Sequence, residues 1–331
     1  MKKTLLFIAT LLTSYLGMAQ ETYQPTAENL KAREQFQDDK FGIFLHWGLY
    51  SMMGTTEWIM TNRDINYKEY PKLAKTFYPS EFDADAWVKA IKAAGAKYIT
   101  ITTRHHDGFS LFKTATSSYN SVDGTPFKRD IIKEMADACQ RNGIKLHLYY
   151  SHLDWGREDY PVGRTGTGTG RPKEKANWAS YYKFMNTQLT ELLTNYGKVG
   201  AIWFDGWWDH DSDVKPFDWQ LEEQYALIHK LQPQCLIANN HHHTPFPGED
   251  IQIFERDLPG ENKAGLSGQS IGRLPLESCQ TINEHWGYNI TDTLYKSPKE
   301  LIQMLVRAAG KNANLLLNIG PEPGGALPEL A

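Results

Sequence analysis

The chain has 331 residues and a formal net charge of −4, and 41% of its residues are hydrophobic. That hydrophobic content can supply a large buried core and excludes a chain that is disordered throughout. The weak negative charge argues against binding to nucleic acid, which requires a basic surface. The length suits either two average domains or one α/β barrel.

The first twenty residues have the three parts of a secretory signal peptide. Lys2 and Lys3 precede an apolar run at 5–12, and small residues follow at 17–19. The apolar run is too short to cross a membrane. We therefore expect residues 1–20 to be removed and the mature chain to be periplasmic or secreted, with no insertion into the membrane.

One order of elements recurs three times along the chain. Each unit has a helix with one apolar face, a glycine at the end of that helix, and a nearly continuous apolar strand. The units cover 83–101, 130–150 and 177–204, and further strands are predicted at 41–47, 236–239, 251–254 and 314–319. Strands that are apolar on both faces are typical of parallel sheets. The alternation predicts an α/β fold, a (β/α)8-type TIM barrel, as one catalytic domain over 21–331.

Polar or aromatic residues follow six of these predicted strands. They are His46 and Trp47, residues 104–107, residues 149–151, Asp205, residues 239–241 and Glu255. In a TIM barrel the carboxyl ends of the strands form the active face, so we expect these residues to converge. The long segments 156–173 and 241–248 are predicted to be loops at the same site.

Asp205 and Glu255 are carboxylates that each come directly after a predicted apolar strand. Taken singly, Asp205 could cap the next helix and Glu255 could pair with Arg256. As a pair they match glycosidic bond cleavage, in which one carboxylate attacks the anomeric carbon and one carboxylic acid protonates the leaving oxygen. We expect partial burial to raise the pKa of the acid, Glu255, while hydrogen bonds keep Asp205 ionised.

The histidines at 105–106 and 241–243 allow a second interpretation, a metal-dependent hydrolase. Their spacing does not match the usual metal-binding patterns with a carboxylate ligand. Neutral imidazole both donates and accepts hydrogen bonds, which suits sugar hydroxyls. We therefore predict no metal and no cofactor.

Seven short motifs follow one another along the chain. They are residues 41–48 (FGIFLHWG), 57–58 (EW), 104–109 (RHHDGF), 149–151 (YYS), 203–206 (WFDG), 285–288 (HWGY) and 315–321 (LLLNIGP). Together they resemble glycoside hydrolase family 29, the α-L-fucosidases, in the order of that family. The combination is far more specific than any single motif.

The resemblance implies an exo-acting, retaining α-L-fucosidase that removes terminal fucose from glycans by double displacement. It implies Asp205 as the nucleophile and Glu255 as the acid/base, with Glu261 and Glu277 in reserve. The residues that it implies for sugar binding are His46, Glu57, Trp58, His105, His106 and Tyr149. Trp203 is expected to enclose the C5-methyl group together with Trp58, and His241 or a neighbour to replace an arginine of some members.

Members of this family usually continue into a C-terminal β-sandwich, whereas this sequence ends at Ala331. We therefore expect that domain to be absent or truncated here. A non-catalytic fucose-binding protein remains the alternative to an enzyme. The preferred linkage, α-1,2, α-1,3/1,4 or α-1,6, stays open because it depends on the two long loops.

Overall fold

The structure, a computed structural model, describes residues 23–329 and residue 331. The signal peptide predicted at 1–20 lies outside the described residues. In the described part of the chain, eight parallel strands form one sheet. They are β1 (Phe41–Leu45), β2 (Tyr98–Arg104), β3 (Lys145–Ser151), β4 (Ala201–Asp205), β5 (Leu236–Asn240), β6 (Gln252–Glu255), β7 (Leu276–Thr281) and β8 (Ala313–Ile319).

The strands are arranged in the order β5-β4-β3-β2-β1-β8-β7-β6. A parallel bridge between Ala238 of β5 and Ile251, the residue before β6, brings the two ends of the sheet together. The first strand pairs with the last, with Gly42 opposite Leu316. The sheet is therefore a nearly closed barrel, and the predicted (β/α)8-type fold is confirmed.

Seven α-helices accompany these strands among the described residues. They are α1 (Ala27–Asp39), α2 (Ile59–Asn62), α3 (Ala84–Ala93), α4 (Ile131–Asn142), α5 (Trp178–Asn195), α6 (Leu221–Leu231) and α7 (Pro298–Gly310). The side chains of Asp83 and Asp130 cap α3 and α4, as the sequence predicts. The alternation is incomplete, because no helix occurs in the segments 241–251 and 256–275.

Helix α1 closes the amino end of the barrel. Phe36 packs against the rings of Tyr98 and His147, with ring centres 5.4 and 5.9 Å apart. The Tyr98 ring fits inside the barrel because the opposite residue on β1 is Gly42, which has no side chain. A Cβ atom on Gly42 would lie 2.4 Å from the Tyr98 ring. The opposite end of the barrel, where the strands finish, remains for the functional side chains.

A buried ion pair supports the end of β2. Arg104 and Asp154 are both fully buried and lie 2.5 Å apart, and Asp154 also accepts hydrogen bonds from the backbone of Gly156 and Arg157. We expect Asp154→Ala to destabilise the protein by about 3–5 kcal/mol, because it leaves the guanidinium buried without a counter-charge. Urea unfolding measures the loss.

The control is Asp123→Ala, which removes the partly exposed pair with Lys113. Exposed ion pairs contribute little to stability, so the free energy of unfolding should change much less than in Asp154→Ala. Equal losses in the two variants would contradict the assignment of Asp154 as the counter-charge on which the end of β2 depends.

Among the described residues, no helix is both long enough and apolar enough to span a membrane.

Candidate active site

A pocket of about 210 Å³ opens at the carboxyl ends of the strands. It is smaller than a typical site for a drug-sized ligand, which suits a small ligand. Seven of the predicted site residues line it: His46, Glu57, Trp58, His105, Trp203, Asp205 and Glu255. A larger groove of about 690 Å³ lies at the amino end of the barrel, beside α1, and none of the predicted site residues lines it.

Asp205 is the last residue of β4 and receives several hydrogen bonds. Its Oδ1 accepts from the Trp208 indole at 3.0 Å and from the Gly206 backbone at 2.9 Å. Its Oδ2 accepts from the Tyr149 hydroxyl at 3.0 Å and lies 3.5 Å from Nε2 of His106. The donors fix the carboxylate in one orientation, and 13% of its side chain stays exposed to the pocket.

Glu255 ends β6 and faces the same pocket. Its Oε2 accepts hydrogen bonds from Asn240 at 2.7 Å and from His242 at 2.9 Å. The Asn240 amide also lies 3.4 Å from Oδ1 of Asp205. One amide nitrogen therefore lies between the two carboxyl groups, which places them side by side rather than on opposite sides of the barrel.

The pKa directions of the two carboxyls are the reverse of the expected ones. Burial and the negative charge of Glu255 raise the pKa of Asp205 to about 6. Burial also acts to raise the pKa of Glu255, but the hydrogen bonds and charges of His242, Asn240 and Arg256 outweigh it and lower that pKa. The expectation that Glu255 has the raised pKa was wrong for the free protein, because the sequence did not reveal the donors beside it.

Two histidines of the pocket are neutral. Burial lowers the pKa of His46 to about 3 and the pKa of His105 well below its usual range. Nδ1 of His46 is 2.6 Å from the Asn318 side chain. The two imidazoles can therefore donate or accept hydrogen bonds to a neutral ligand without carrying charge.

Glu57 and Trp58 form one side of the pocket. Glu57 accepts hydrogen bonds from the Gly287 backbone at 2.8 Å and from Thr56 at 3.1 Å. The Trp58 ring stacks on Trp208, with ring centres 5.6 Å apart and planes 15° from parallel. The carboxylate offers acceptors next to a flat apolar wall, a combination that fits one face and the hydroxyls of a sugar.

His106 and Tyr149 are not among the residues that line the pocket. His106 is instead held by Ser151, 2.7 Å from its Nδ1, while its Nε2 points towards Asp205. The Tyr149 hydroxyl donates to Asp205. Both side chains therefore contact the carboxylate from behind the pocket surface.

His241 also lies outside the pocket lining. Its Nε2 is 3.0 Å from the Glu249 carboxylate, and its side chain is almost fully buried. His242 lines the pocket in its place. The backbone of His242 is left-handed, with φ at 66°, which turns neighbouring imidazoles in different directions. Of the two neighbours, His242 and not His241 is therefore the one that faces the described pocket.

The two reserve glutamates lie elsewhere. Glu277 is buried inside the barrel, where it accepts hydrogen bonds from Trp203 at 2.8 Å and Tyr98 at 2.7 Å. Glu261 pairs with Lys263 and Arg307. Of the three candidates for the acid/base, Glu255 alone lines the described pocket.

Several pocket residues were not among the predicted ones. They are Phe44, Arg164, Trp208, Asn240, His242, Leu266, Cys279 and Trp286. Phe44, Asn240 and Trp286 belong to motifs or strand ends that the sequence did single out, so they could have been found. Arg164 comes from the long loop 156–173, where its guanidinium lies 5.2 Å from the Trp208 ring centre and pairs with Asp211. No local pattern indicates that position.

Comparisons with known proteins agree with this geometry. The sequence profile of the α-L-fucosidase family matches residues 10–331. A plasma α-L-fucosidase of Rattus norvegicus is 30% identical over 98% of this chain and 72% of its own length. The structure of α-L-fucosidase isoenzyme 1 from Paenibacillus thiaminolyticus is 38% identical, with a TM-score of 0.79 over 90% of this chain and 73% of that one.

A second solved structure is α-L-fucosidase AlfC from Lactobacillus casei in complex with its α-L-fucose product. It is 29% identical, with a TM-score of 0.79 over 91% of this chain and 94% of that one. The profile covers nearly the whole sequence, and the matching structures share the barrel fold. The chain belongs to the α-L-fucosidase family of glycoside hydrolases.

Proposed function

We propose that this protein is an exo-acting α-L-fucosidase that hydrolyses terminal α-L-fucose from glycans with retention of configuration. The observation that carries the proposal is the pair of carboxyl groups, Asp205 and Glu255, that line one small pocket and share contact with Asn240. The relative AlfC supports the substrate class, since one of its variants was solved with 4-nitrophenyl-α-L-fucopyranoside and another complex contains Fucα(1,6)GlcNAc.

In the first step, Asp205 attacks C1 of the fucosyl unit. The bond from C1 to the glycosidic oxygen breaks, and that oxygen takes a proton from Glu255. In the second step, water attacks C1 and gives a proton to Glu255 while the bond from C1 to Asp205 breaks. Two inversions at C1 restore the α configuration, and both carboxyl groups return to their starting states.

This mechanism requires a protonated Glu255 and an ionised Asp205 in the complex with the substrate. In the free protein the pKa of Asp205 is raised and that of Glu255 is lowered. A glycosidic oxygen is a hydrogen-bond acceptor, so beside Glu255 it favours the protonated acid. The aglycon also displaces water from that carboxyl, which favours the neutral form. Sugar hydroxyls that donate to Asp205 favour its ionised form.

The walls of the pocket fit a deoxy sugar. Trp58, Trp203 and Phe44 are apolar surfaces that can enclose the C5-methyl group. The neutral imidazoles of His46 and His105 can bind hydroxyls, and they can strengthen those bonds as charge develops at the ring. Fucosylated oligosaccharides or glycoconjugates are therefore the proposed substrates.

We further propose that residues 1–20 act as a signal peptide, so that the catalytic domain 21–331 works in the periplasm or outside the cell. The support is the charge and hydrophobicity pattern at the start of the sequence. N-terminal sequencing of the protein recovered from a secreting host tests it, because an uncleaved Met1 would contradict the proposal.

The decisive test of the activity is a hydrolysis screen on an aryl α-L-fucoside, 2′-fucosyllactose and a Lewis trisaccharide. NMR of the first product formed should show α-L-fucose before mutarotation. Binding of fucose with no turnover of any substrate would instead identify a non-catalytic sugar-binding protein. Loss of activity on chelation would favour a metal-dependent hydrolase.

The pKa of Asp205 predicts the acid limb of the pH profile. We expect kcat/KM on an activated aryl fucoside to fall as the pH drops through about 6, because protonated Asp205 cannot attack. The charge of Glu255 contributes to that raised pKa, so Glu255→Gln should move the acid limb to lower pH. A limb that stays in place or moves upward in this variant would contradict the coupling.

A further inference from the structure

The side chain of Glu255 is held by one of its two oxygens. Asn240 and His242 both donate to Oε2, at 2.7 and 2.9 Å. Among the described residues, no side chain or backbone group hydrogen-bonds Oε1. In the free protein, Oε2 of Glu255 is therefore hydrogen-bonded to the protein, whereas Oε1 has no protein donor among the described residues.

His242 reaches Oε2 through an unfavourable backbone conformation. Its φ is 66°, a left-handed value that is uncommon for residues other than glycine, and Arg256, which follows Glu255, has φ at 58°. Such conformations persist only where the surrounding contacts hold them, and they are concentrated at functional sites. A left-handed residue therefore lies on each side of the hydrogen bond between His242 and Glu255.

We propose that His242 is a positioning residue for Glu255, and that its hydrogen bond to Oε2 leaves Oε1 as the oxygen that exchanges the proton with the leaving group and with water. This inference rests on the proposed function. Asn240 alone cannot fix the carboxyl in the same way, because its amide also lies near Asp205.

The proton cycle follows from this arrangement. In the first step Oε1 gives its proton to the glycosidic oxygen, and the negative charge left on Glu255 is stabilised at Oε2 by the N–H of His242. In the second step Oε1 accepts a proton from the attacking water. His242 keeps its own proton throughout, so the atoms and charges of the two steps balance without a further reactant.

His242 is also one of the groups that set the ionisation of Glu255. Burial acts to raise the pKa of Glu255, and the hydrogen bond and charge of His242 act to lower it. The other titratable or charged groups that interact with this carboxyl come from several strands: Asp205 of β4, His46 of β1, Cys279 of β7 and the adjacent Arg256. Those side chains stay in place when His242 alone is replaced, although the charge of His242 also acts to lower the pKa of Asp205.

The test compares His242→Ala and His242→Gln on two α-L-fucosides. A dinitrophenyl leaving group departs without protonation, whereas an unactivated sugar alcohol requires the acid. We expect His242→Ala to lower kcat/KM for the unactivated fucoside by about 10- to 100-fold, below the full effect of losing a general acid, and to change the dinitrophenyl fucoside little. His242→Gln keeps an N–H donor and should recover most of the lost rate.

The pH profile gives a second readout that a purely structural role would not move. His242→Ala removes both the hydrogen bond and the charge that lower the pKa of Glu255, whereas His242→Gln keeps a donor and removes only the charge. The protonated acid should therefore persist to higher pH, and the alkaline limb of kcat/KM for the unactivated fucoside should shift upward, more in His242→Ala than in His242→Gln.

The matched control is His243→Gln, since His243 is the exposed neighbour and does not line the pocket. It should change neither the leaving-group dependence nor the alkaline limb. Equal losses on both fucosides in His242→Ala and His242→Gln would overturn the inference and assign His242 to sugar binding or pocket shape. If the unmodified protein hydrolyses no fucoside, the proposed function itself fails; if it does and the variants show no selective loss, this inference alone fails.

Discussion

Replacement of Asp205 by glycine should lower kcat for an aryl α-L-fucoside by about 10³-fold or more, because the covalent route loses its nucleophile. In the described site, the carboxylate of Asp205 accepts hydrogen bonds from Tyr149, Trp208 and the Gly206 backbone. Those donors remain after the substitution, so the pocket should still bind fucose.

Added azide distinguishes loss of the nucleophile from loss of the fold. In Asp205→Gly the azide ion can enter the space left by the carboxylate and attack C1 directly, while Glu255 still protonates the leaving oxygen. We expect partial recovery of the rate and a β-L-fucosyl azide, formed by a single inversion. Near-normal hydrolysis by Asp205→Gly without azide would refute the mechanism.

Replacement of Glu255 by alanine should have the second largest effect, and its size should depend on the leaving group. General acid/base catalysis contributes about 10²- to 10⁴-fold, so unactivated fucosides should lose that much. A dinitrophenyl fucoside should form the fucosyl-enzyme at nearly the normal rate and then accumulate it, because the second step lacks its base. The expected signature is a burst of dinitrophenol followed by slow turnover.

Azide again gives a distinct product. In Glu255→Ala it should attack the fucosyl-enzyme without needing a base, so two inversions yield an α-L-fucosyl azide. The control is Glu261→Gln, a glutamate that pairs with Lys263 and Arg307 away from the pocket. It should retain activity on every substrate. A leaving-group effect in Glu261→Gln and none in Glu255→Ala would reassign the acid/base.

The division of roles between neighbouring carboxyls has a clear electrostatic basis in the structure. Asp205 is desolvated and faces the charge of Glu255, whereas Glu255 has His242, Asn240 and Arg256 beside it. Burial alone would raise both pKa values. Of the groups that break this symmetry, Asn240 ends β5, while His242 and Arg256 lie in the segments after β5 and β6, which have no helix. The order in which the two carboxyls lose their protons therefore depends in part on irregular segments of the chain.

Much of the barrel could be predicted from local sequence patterns. The capping aspartates Asp83 and Asp130, the glycine after α4 and the apolar strands each depend on residues within a few positions of one another. The rule that strand ends converge in a barrel then placed Asp205 and Glu255 at one site. The motifs added the family, since their order is a property of the sequence.

Other features depended on contacts between distant segments. Two features decide which of residues 241–243 reaches the pocket. The backbone of His242 is left-handed, and the imidazole of His241 is held by the buried carboxylate of Glu249. Arg164 reaches the pocket only because its loop folds back onto Trp208 and Asp211. Hydrogen-bond partners and burial are properties of the folded chain, and they set both the directions of the pKa shifts and the choice among the candidate glutamates. The sequence by itself determined the barrel, the family and the two carboxylates, because these follow from periodicity and order. The tertiary structure decided most partners of those carboxylates, because side chains such as Tyr149 and His242 meet them only when separate strands and loops are brought together.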